Sequence, residues 1–155
     1  MEDAPVVICY DGSADSDRAI GAAAALLGAR PAVVVNVEPT LTASESVATV
    51  NSLVPGNAFE DLNTDSALEK ARAGVARARA AGFEAEPRAE LMDPVWEGIV
   101  DVADEIDASV IVIGSRGLKG IRERFEGSVS HDLAEHAGRP VLIVPPENSA
   151  EHSPR

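Results

Sequence analysis

Short, nearly uninterrupted runs of apolar residues recur along the chain, separated by segments with helical periodicity. In chain order the runs are PVVICY (5–10), PAVVVNV (31–37), FEAEPRAEL (83–91), ASVIVIG (108–114) and PVLIVPP (140–146). Four of them are continuous, which indicates strands buried on both faces, as in a parallel sheet covered by helices. The third run alternates and carries more charge, so it predicts an edge strand.

The segments between the runs have the caps and spacing of helices. The first helix is predicted from Ser13, a candidate N-cap, to Gly28, a glycine where helices often end. In the third helix, Asp93 is the predicted N-cap and Pro94 the first-turn residue. The three later helices are predicted over residues 58–81, 93–106 and 127–138.

The resulting order, β-α-β-α-β-α-β-α-β, predicts an α/β fold: a three-layer, doubly wound sandwich with a five-stranded parallel sheet and four helices. The strongly apolar first and fourth strands belong at the centre, and the expected strand order is 3-2-1-4-5. A single domain is predicted over residues 1–147 and a disordered tail over 148–155, because the last eight residues are polar and unpatterned. Residues 38–57 exceed the usual loop length and are predicted to form a mobile flap.

Composition narrows the class of protein. The chain has 155 residues, of which 45% are hydrophobic and 25% charged, so an ordinary globular domain is expected. The N-terminus lacks the features of a signal peptide and no apolar stretch approaches the roughly 20 residues of a spanning helix, so we expect a cytoplasmic protein. Cys9, the single cysteine, lies in the first apolar run, where a buried structural thiol is expected.

The net charge of −13 argues against nucleic acid and membrane as partners, because both are bound mainly through basic surface. A local exception follows the fourth strand, where four cations lie within nine positions: Arg116, Lys119, Arg122 and Arg124. A charged run is most often a solvated face, so at most one or two of these cations are expected to contact a ligand.

Ligands of doubly wound sheets bind beyond the carboxyl ends of the strands, where the winding direction reverses. The loops after strands one and four, residues 10–16 and 114–120, would open into one crevice. Gly114, Gly117 and Gly120 let the backbone expose N–H groups, and a helix start follows at Gly127 and Ser128. Such a site suits a di- or triphosphate. The GxxxxGK[ST] and GxGxxG fingerprints of other phosphate sites are absent.

The spacing of Gly114, two residues, Gly117, nine residues, Gly127 and Ser128 resembles the nucleotide-binding signature of the universal stress protein family, whose fold is like that of the adenine nucleotide alpha hydrolases. The resemblance extends over about residues 5–145 and includes YDGS after strand one, VVVNVEP in strand two and SVSHDLAEHAGRPVLIVP at the end. It implies an ATP-binding, stress-response protein.

The resemblance also implies roles for particular residues. Asp11 would lie near the adenosine part of ATP, and the Val37 backbone would meet the adenine edge. Gly114 and Gly117 would line the phosphate path, and backbone amides and hydroxyls of Gly127, Ser128, Val129 and Ser130 would hold the phosphates. Arg116 is the cation of the basic cluster that we expect to contact the nucleotide. Mg or Mn would accompany the phosphates, and a homodimer would form through Val141–Val144. Glu126 departs from this picture, because it places a carboxylate beside the proposed phosphate site.

Other interpretations remain open. One alternative is that Gly114, Gly117 and Gly120 form a tight turn and bind no ligand. Asp11 could likewise be a turn residue with no ligand role, since Asp-Gly is a strong turn pair. No catalytic base or nucleophile arrangement is found, so we expect a regulatory nucleotide-binding protein more than a slow ATP hydrolase or another nucleotide α-phosphate enzyme. A dimeric module that binds no nucleotide is a third possibility. His131 and His136 lie on different helix faces and predict no metal site.

Overall fold

The computed structural model describes residues 4–40, 56–115 and 128–147, and within them the chain forms one parallel sheet with helices on both faces. The strands are β1 (Val6–Cys9), β2 (Pro31–Glu38), β3 (Glu84–Leu91), β4 (Val110–Gly114) and β5 (Val141–Val144). The helices are α1 (Ala14–Leu27), α2 (Gly56–Ala80), α3 (Val95–Glu105) and α4 (Ser128–His136). The strand order is β3-β2-β1-β4-β5, which confirms the predicted fold class, strand order and helix number.

Burial follows the sequence pattern. All four residues of β1 are buried, whereas β3, which pairs only with β2, keeps most of its residues partly or fully exposed. The predictions of a central first strand and an edge third strand are therefore confirmed. Successive strand residues point to opposite faces: Val6 and Ile8 pack in the core with α1 and α2, and Val7 and Cys9 in the core with α3 and α4.

The helix ends agree with the predicted caps, with one exception. The Ser13 hydroxyl accepts a hydrogen bond from the Ser16 N–H, and Gly28 ends α1 with a φ of 71°. The prediction for α3 is wrong by one residue, because Pro94 rather than Asp93 is the N-cap and helical backbone begins at Val95. The fixed φ of proline fits both a first helical turn and extended backbone, and here ψ is 153°, which is extended.

One glycine sets how closely α2 lies on the sheet. A Cβ on Gly74, which is buried in α2, would lie 2.6 Å from Cγ of Tyr10 and 2.7 Å from Cγ1 of Val34. Tyr10 cannot easily yield, because its hydroxyl donates to Asp17 Oδ1 over 2.9 Å and Arg77 holds the same carboxylate from α2. The helix therefore packs directly on the end of β1 through a position without a side chain.

Some predictions fall on residues outside those described. They are most of the flap (41–55), the basic cluster after β4 (116–124) and the C-terminal tail (148–155). Within residues 4–40, 56–115 and 128–147, no helix has the length and apolar character needed to cross a membrane.

Candidate functional site

A cavity of about 190 Å³ opens at the carboxyl ends of β1, β2 and β4, between the first turns of α1, α3 and α4. It lies where the winding direction of the sheet reverses, which is the expected ligand position in this architecture. Its lining residues are Cys9, Tyr10, Asp11, Ser16, Val35, Asn36, Val37, Val95, Ile99, Ile113, Gly114, Ser115, Val129 and Ser130. The structure thus brings together the predicted residues Asp11, Val37, Gly114, Val129 and Ser130.

One wall of the cavity is apolar and belongs to the α3 and α4 side of the sheet. It combines strand residues with side chains from the two helices: Cys9, Val35, Val37, Ile113, Val95, Ile99 and Val129. Burial raises the pKa of the Cys9 thiol far above its usual range, and the Asp11 carboxylate raises it further. Cys9 is therefore a neutral apolar wall residue, as predicted, rather than a thiolate nucleophile.

The main chain of Val37 extends past the end of β1. Pairing between β1 and β2 ends at Cys9 and Val35, where the Tyr10 N–H donates to the Val35 carbonyl over 2.9 Å. In a parallel ladder every second residue directs both its N–H and its C=O to the same neighbour, so Val37 faces the β1 side. No backbone hydrogen bond joins Val37 to the part of the β1–α1 connection that the structure describes. Val37 therefore offers a donor and an acceptor to the cavity.

Asp11 connects β1 to α1 and serves as a turn residue. Its Oδ1 accepts a hydrogen bond from the Ser13 N–H over 2.9 Å, which shapes the turn before the α1 N-cap. The same residue lines the cavity, where it is the only carboxylate among the described lining residues. The structure therefore confirms that Asp11 forms the turn, while its proposed ligand contact stays a prediction.

Gly114 ends β4 directly against the first turn of α1. A Cβ at this position would lie 3.1 Å from both the carbonyl carbon and the carbonyl oxygen of Asp15, closer than nine in ten real Cβ contacts. The glycine at the start of the predicted phosphate motif thus has a packing reason to lack a side chain. Gly114 lines the cavity, and its predicted contact with phosphate stays a prediction.

The beginning of α4 supplies the remaining described part of the predicted phosphate site. Helical backbone begins at Ser128, and Val129 and Ser130 line the cavity. The first turn of a helix has N–H groups without intrahelical acceptors and a partial positive charge, both of which favour an anion. The predicted contacts Arg116, Gly117 and Gly127, and the departure at Glu126, lie outside the described residues.

Asn36 is the main site residue that sequence reasoning missed. It is only 3% exposed and lines the cavity, and its Nδ2 donates to the Tyr10 carbonyl over 2.8 Å. Its Oδ1 and the Ser115 hydroxyl are the two buried side-chain polar atoms without a hydrogen-bond partner in the described part of the chain. An unsatisfied buried acceptor costs about 1–3 kcal/mol. A lone asparagine inside the apolar run PAVVVNV was the available signal.

A second cluster of polar side chains lies on α4, away from the cavity lining. Ligand atoms of Asp132, Glu135 and His136 lie within 4.8 Å of one another, and Glu135 and His136 are exposed. The His136 ring also stacks on Trp96 of α3, with 4.9 Å between ring centroids. The spacing of the histidines did not reveal these two carboxylates beside His136. All three side chains belong to α4.

Comparisons with known proteins agree on one family. The model of the universal stress protein family matches residues 4–145. Universal stress protein YxiE of Bacillus subtilis is 31% identical over 150 residues, covering 90% of this chain and 97% of that protein.

Two solved structures are related at 26% identity. A universal stress protein in complex with cAMP has a TM-score of 0.63 and covers 93% of this chain and 98% of its own. The universal stress protein from Archaeoglobus fulgidus in complex with dAMP has a TM-score of 0.58, with 93% and 99% covered. Both of those proteins hold an adenine nucleotide.

Proposed function

The chain belongs to the universal stress protein family, and from that premise we propose that it is a regulatory protein that binds ATP in the cavity at the ends of β1, β2 and β4. The observation that carries this proposal is that the Val37 N–H and C=O have no backbone partner among the described residues on the β1 side, next to the apolar wall. Support also comes from the cAMP and dAMP complexes of two relatives, each of which carries an adenine base.

The base fits the Val37 end of the cavity. Adenine presents a donor, its 6-amino group, beside an acceptor, N1, so one residue with a free C=O and a free N–H can pair with that edge. Guanine has the opposite order on the same edge, an acceptor at O6 and a donor at N1–H. The apolar side chains from β1, β4 and α3 would cover the ring faces, as is usual in ligand cavities.

The phosphates would extend toward the first turn of α4 and the loop after β4. Ser130 and the N–H groups at the start of α4 suit a phosphate. The predicted contacts Arg116, Gly117, Gly127 and Ser128 complete this part of the proposal. When bound, Mg or Mn would neutralise phosphate charge, which matters in a chain of net charge −13.

Regulation is favoured over hydrolysis by the chemistry of the lining. Among the described residues around the cavity there is no histidine or lysine, and Asp11, whose Oδ1 already accepts from Ser13 N–H, is the one carboxylate. Hydrolysis needs a positioned group to activate water. We therefore propose that bound ATP acts as a signal that is retained, with conformation or partner choice as the output.

The test is titration calorimetry of nucleotide-free protein with ATP and GTP, each with Mg²⁺. We expect one saturable ATP site per chain and an ATP affinity at least about ten-fold higher than that for GTP, since mispaired buried polar groups cost about 1–3 kcal/mol. The amount of ADP formed over hours should stay below one equivalent per chain. Absence of saturable ATP binding would remove the proposal, and multiple turnovers of ATP would replace it with the hydrolase.

We also propose a homodimer through β5. Among the described strands this one pairs only with β4, so it forms an edge of the sheet, and its Ile143 is 39% exposed. An open apolar edge strand is a template for pairing with a second chain. Light scattering should show that Ile143→Lys converts a dimer into a monomer. Leu26→Lys is the matched control, since Leu26 is 68% exposed on α1, and it should leave the dimer intact. A monomeric wild type would contradict the proposal.

A further inference from the structure

The Asn36 side chain donates to the Tyr10 carbonyl, the acceptor that the next main-chain hydrogen bond between β1 and β2 would use. If the β1–β2 ladder continued beyond Val35, the Val37 N–H would donate to the Tyr10 carbonyl. In the structure that carbonyl instead accepts from the Asn36 side-chain amide over 2.8 Å. The side chain thus replaces the main-chain donor of its own neighbour.

The orientation of the Asn36 amide is fixed by this contact. Rotating the amide would place Oδ1 against the Tyr10 carbonyl, so two acceptors would face each other. Nδ2 must therefore point to Tyr10, and Oδ1 is left buried without a partner among the described residues. An apolar side chain of similar size would remove that cost. A buried residue that carries such a local penalty indicates a role other than stability.

We propose that Asn36 is a positioning residue that stops the β1–β2 ladder at Val35 and so keeps the Val37 N–H free for the ligand. This inference rests on the proposed function, because it concerns the same base-recognition edge. Without the amide donor, the Tyr10 carbonyl would take the Val37 N–H. The ladder would then close by one rung, and the ligand would have to break that rung before binding.

The test compares Asn36→Leu with wild type by three measurements. Amide exchange followed by NMR should show rapid exchange at Val37 and slow exchange at Val35 in the nucleotide-free wild type. In Asn36→Leu, exchange at Val37 should slow by at least about ten-fold, because its N–H gains the Tyr10 acceptor. The melting temperature should stay equal or rise, while ATP affinity falls about ten-fold.

Ser109→Ala is a matched control. The Ser109 hydroxyl donates to the Pro5 carbonyl over 3.2 Å at the opposite end of the sheet. Its removal should lower the melting temperature slightly and leave both ATP affinity and Val37 exchange unchanged. This control separates the loss of a part-buried side-chain hydrogen bond elsewhere in the sheet from the loss of the Asn36 hydrogen bond at the cavity.

The outcomes distinguish the inference from the function on which it rests. If wild type binds no adenine nucleotide, the proposed function fails, and the exchange measurement still tests the ladder. Slow exchange at Val37 in nucleotide-free wild type overturns the inference. So does an Asn36→Leu variant whose ATP affinity stays within about two-fold of wild type, or one that loses affinity only in proportion to lost stability.

Discussion

We expect Gly74→Ala to lower the free energy of unfolding by about 2 kcal/mol, which is within the usual range for overpacking a core. The new Cβ would lie 2.6–2.7 Å from the Tyr10 ring and Val34, and neither neighbour is a flexible chain end. Alanine improves helix propensity by only about 0.5–1 kcal/mol over glycine, so the clash should exceed the gain. For a chain of this length the melting temperature should fall by about 4–8 °C.

Gly21→Ala is the matched control for this prediction. Gly21 lies inside α1 and is exposed, and a Cβ there would meet nothing within 4 Å. The same substitution should therefore raise the free energy of unfolding by up to about 1 kcal/mol. Chemical denaturation of both variants measures the difference. Changes of the same sign in the two variants would mean that close packing of α2 on the Tyr10 ring does not control stability.

We expect Gly114→Val to lower the affinity for ATP by at least about 30-fold, equivalent to about 2 kcal/mol. The added side chain would press on the Asp15 backbone, which lies 3.1 Å from an ideal Cβ. Backbone cannot yield as a side-chain tip can, so α1 and the end of β4 must separate. Asp11 precedes α1 and Ser115 follows Gly114 in the chain, and both line the cavity, so both should shift. Calorimetry with ATP measures the loss, and Gly114→Ala should be intermediate.

The nucleotide-free stability of the same variants separates two roles for Gly114. If close packing against α1 is the reason for the glycine, Gly114→Val should also lower the free energy of unfolding by about 1–3 kcal/mol. If the glycine serves only to admit phosphate, stability without nucleotide should stay at the wild-type value. Near-normal ATP affinity in Gly114→Val would contradict a role for Gly114 at the ligand site, whatever the effect on stability, and Gly21→Ala again provides the reference.

The sheet could be predicted because the residue types of a strand reflect whether one or both of its faces are buried. Continuous Val and Ile mark β1, which is buried on both faces, and the alternation of FEAEPRAEL marks the edge strand β3. The Ser13 cap and the Gly28 stop are local chemistry, so they too were readable. The residue at which α3 begins could not be predicted, because a proline φ is compatible with both helical and extended backbone.

The features of the fold and of the site that escaped prediction are contacts between segments far apart in the sequence. Gly74 looks like any helix glycine until α2 is placed on Tyr10, and Gly114 looks like a loop glycine until α1 approaches β4. The length of the β1–β2 ladder depends on where two strands part, which no single run shows. The roles assigned to Arg116, Gly117 and Gly127 rest on motif spacing and stay predictions.

The part of β2 that extends beyond its pairing with β1 affects how this fold tolerates amino-acid substitutions. The donor and acceptor that Val37 presents belong to the main chain, so most replacements of its side chain would leave them in place. Proline is the exception, because it has no N–H to donate. The proposed base recognition would therefore persist while neighbouring side chains diverge, and it would be lost through a shift in strand register sooner than through ordinary substitution.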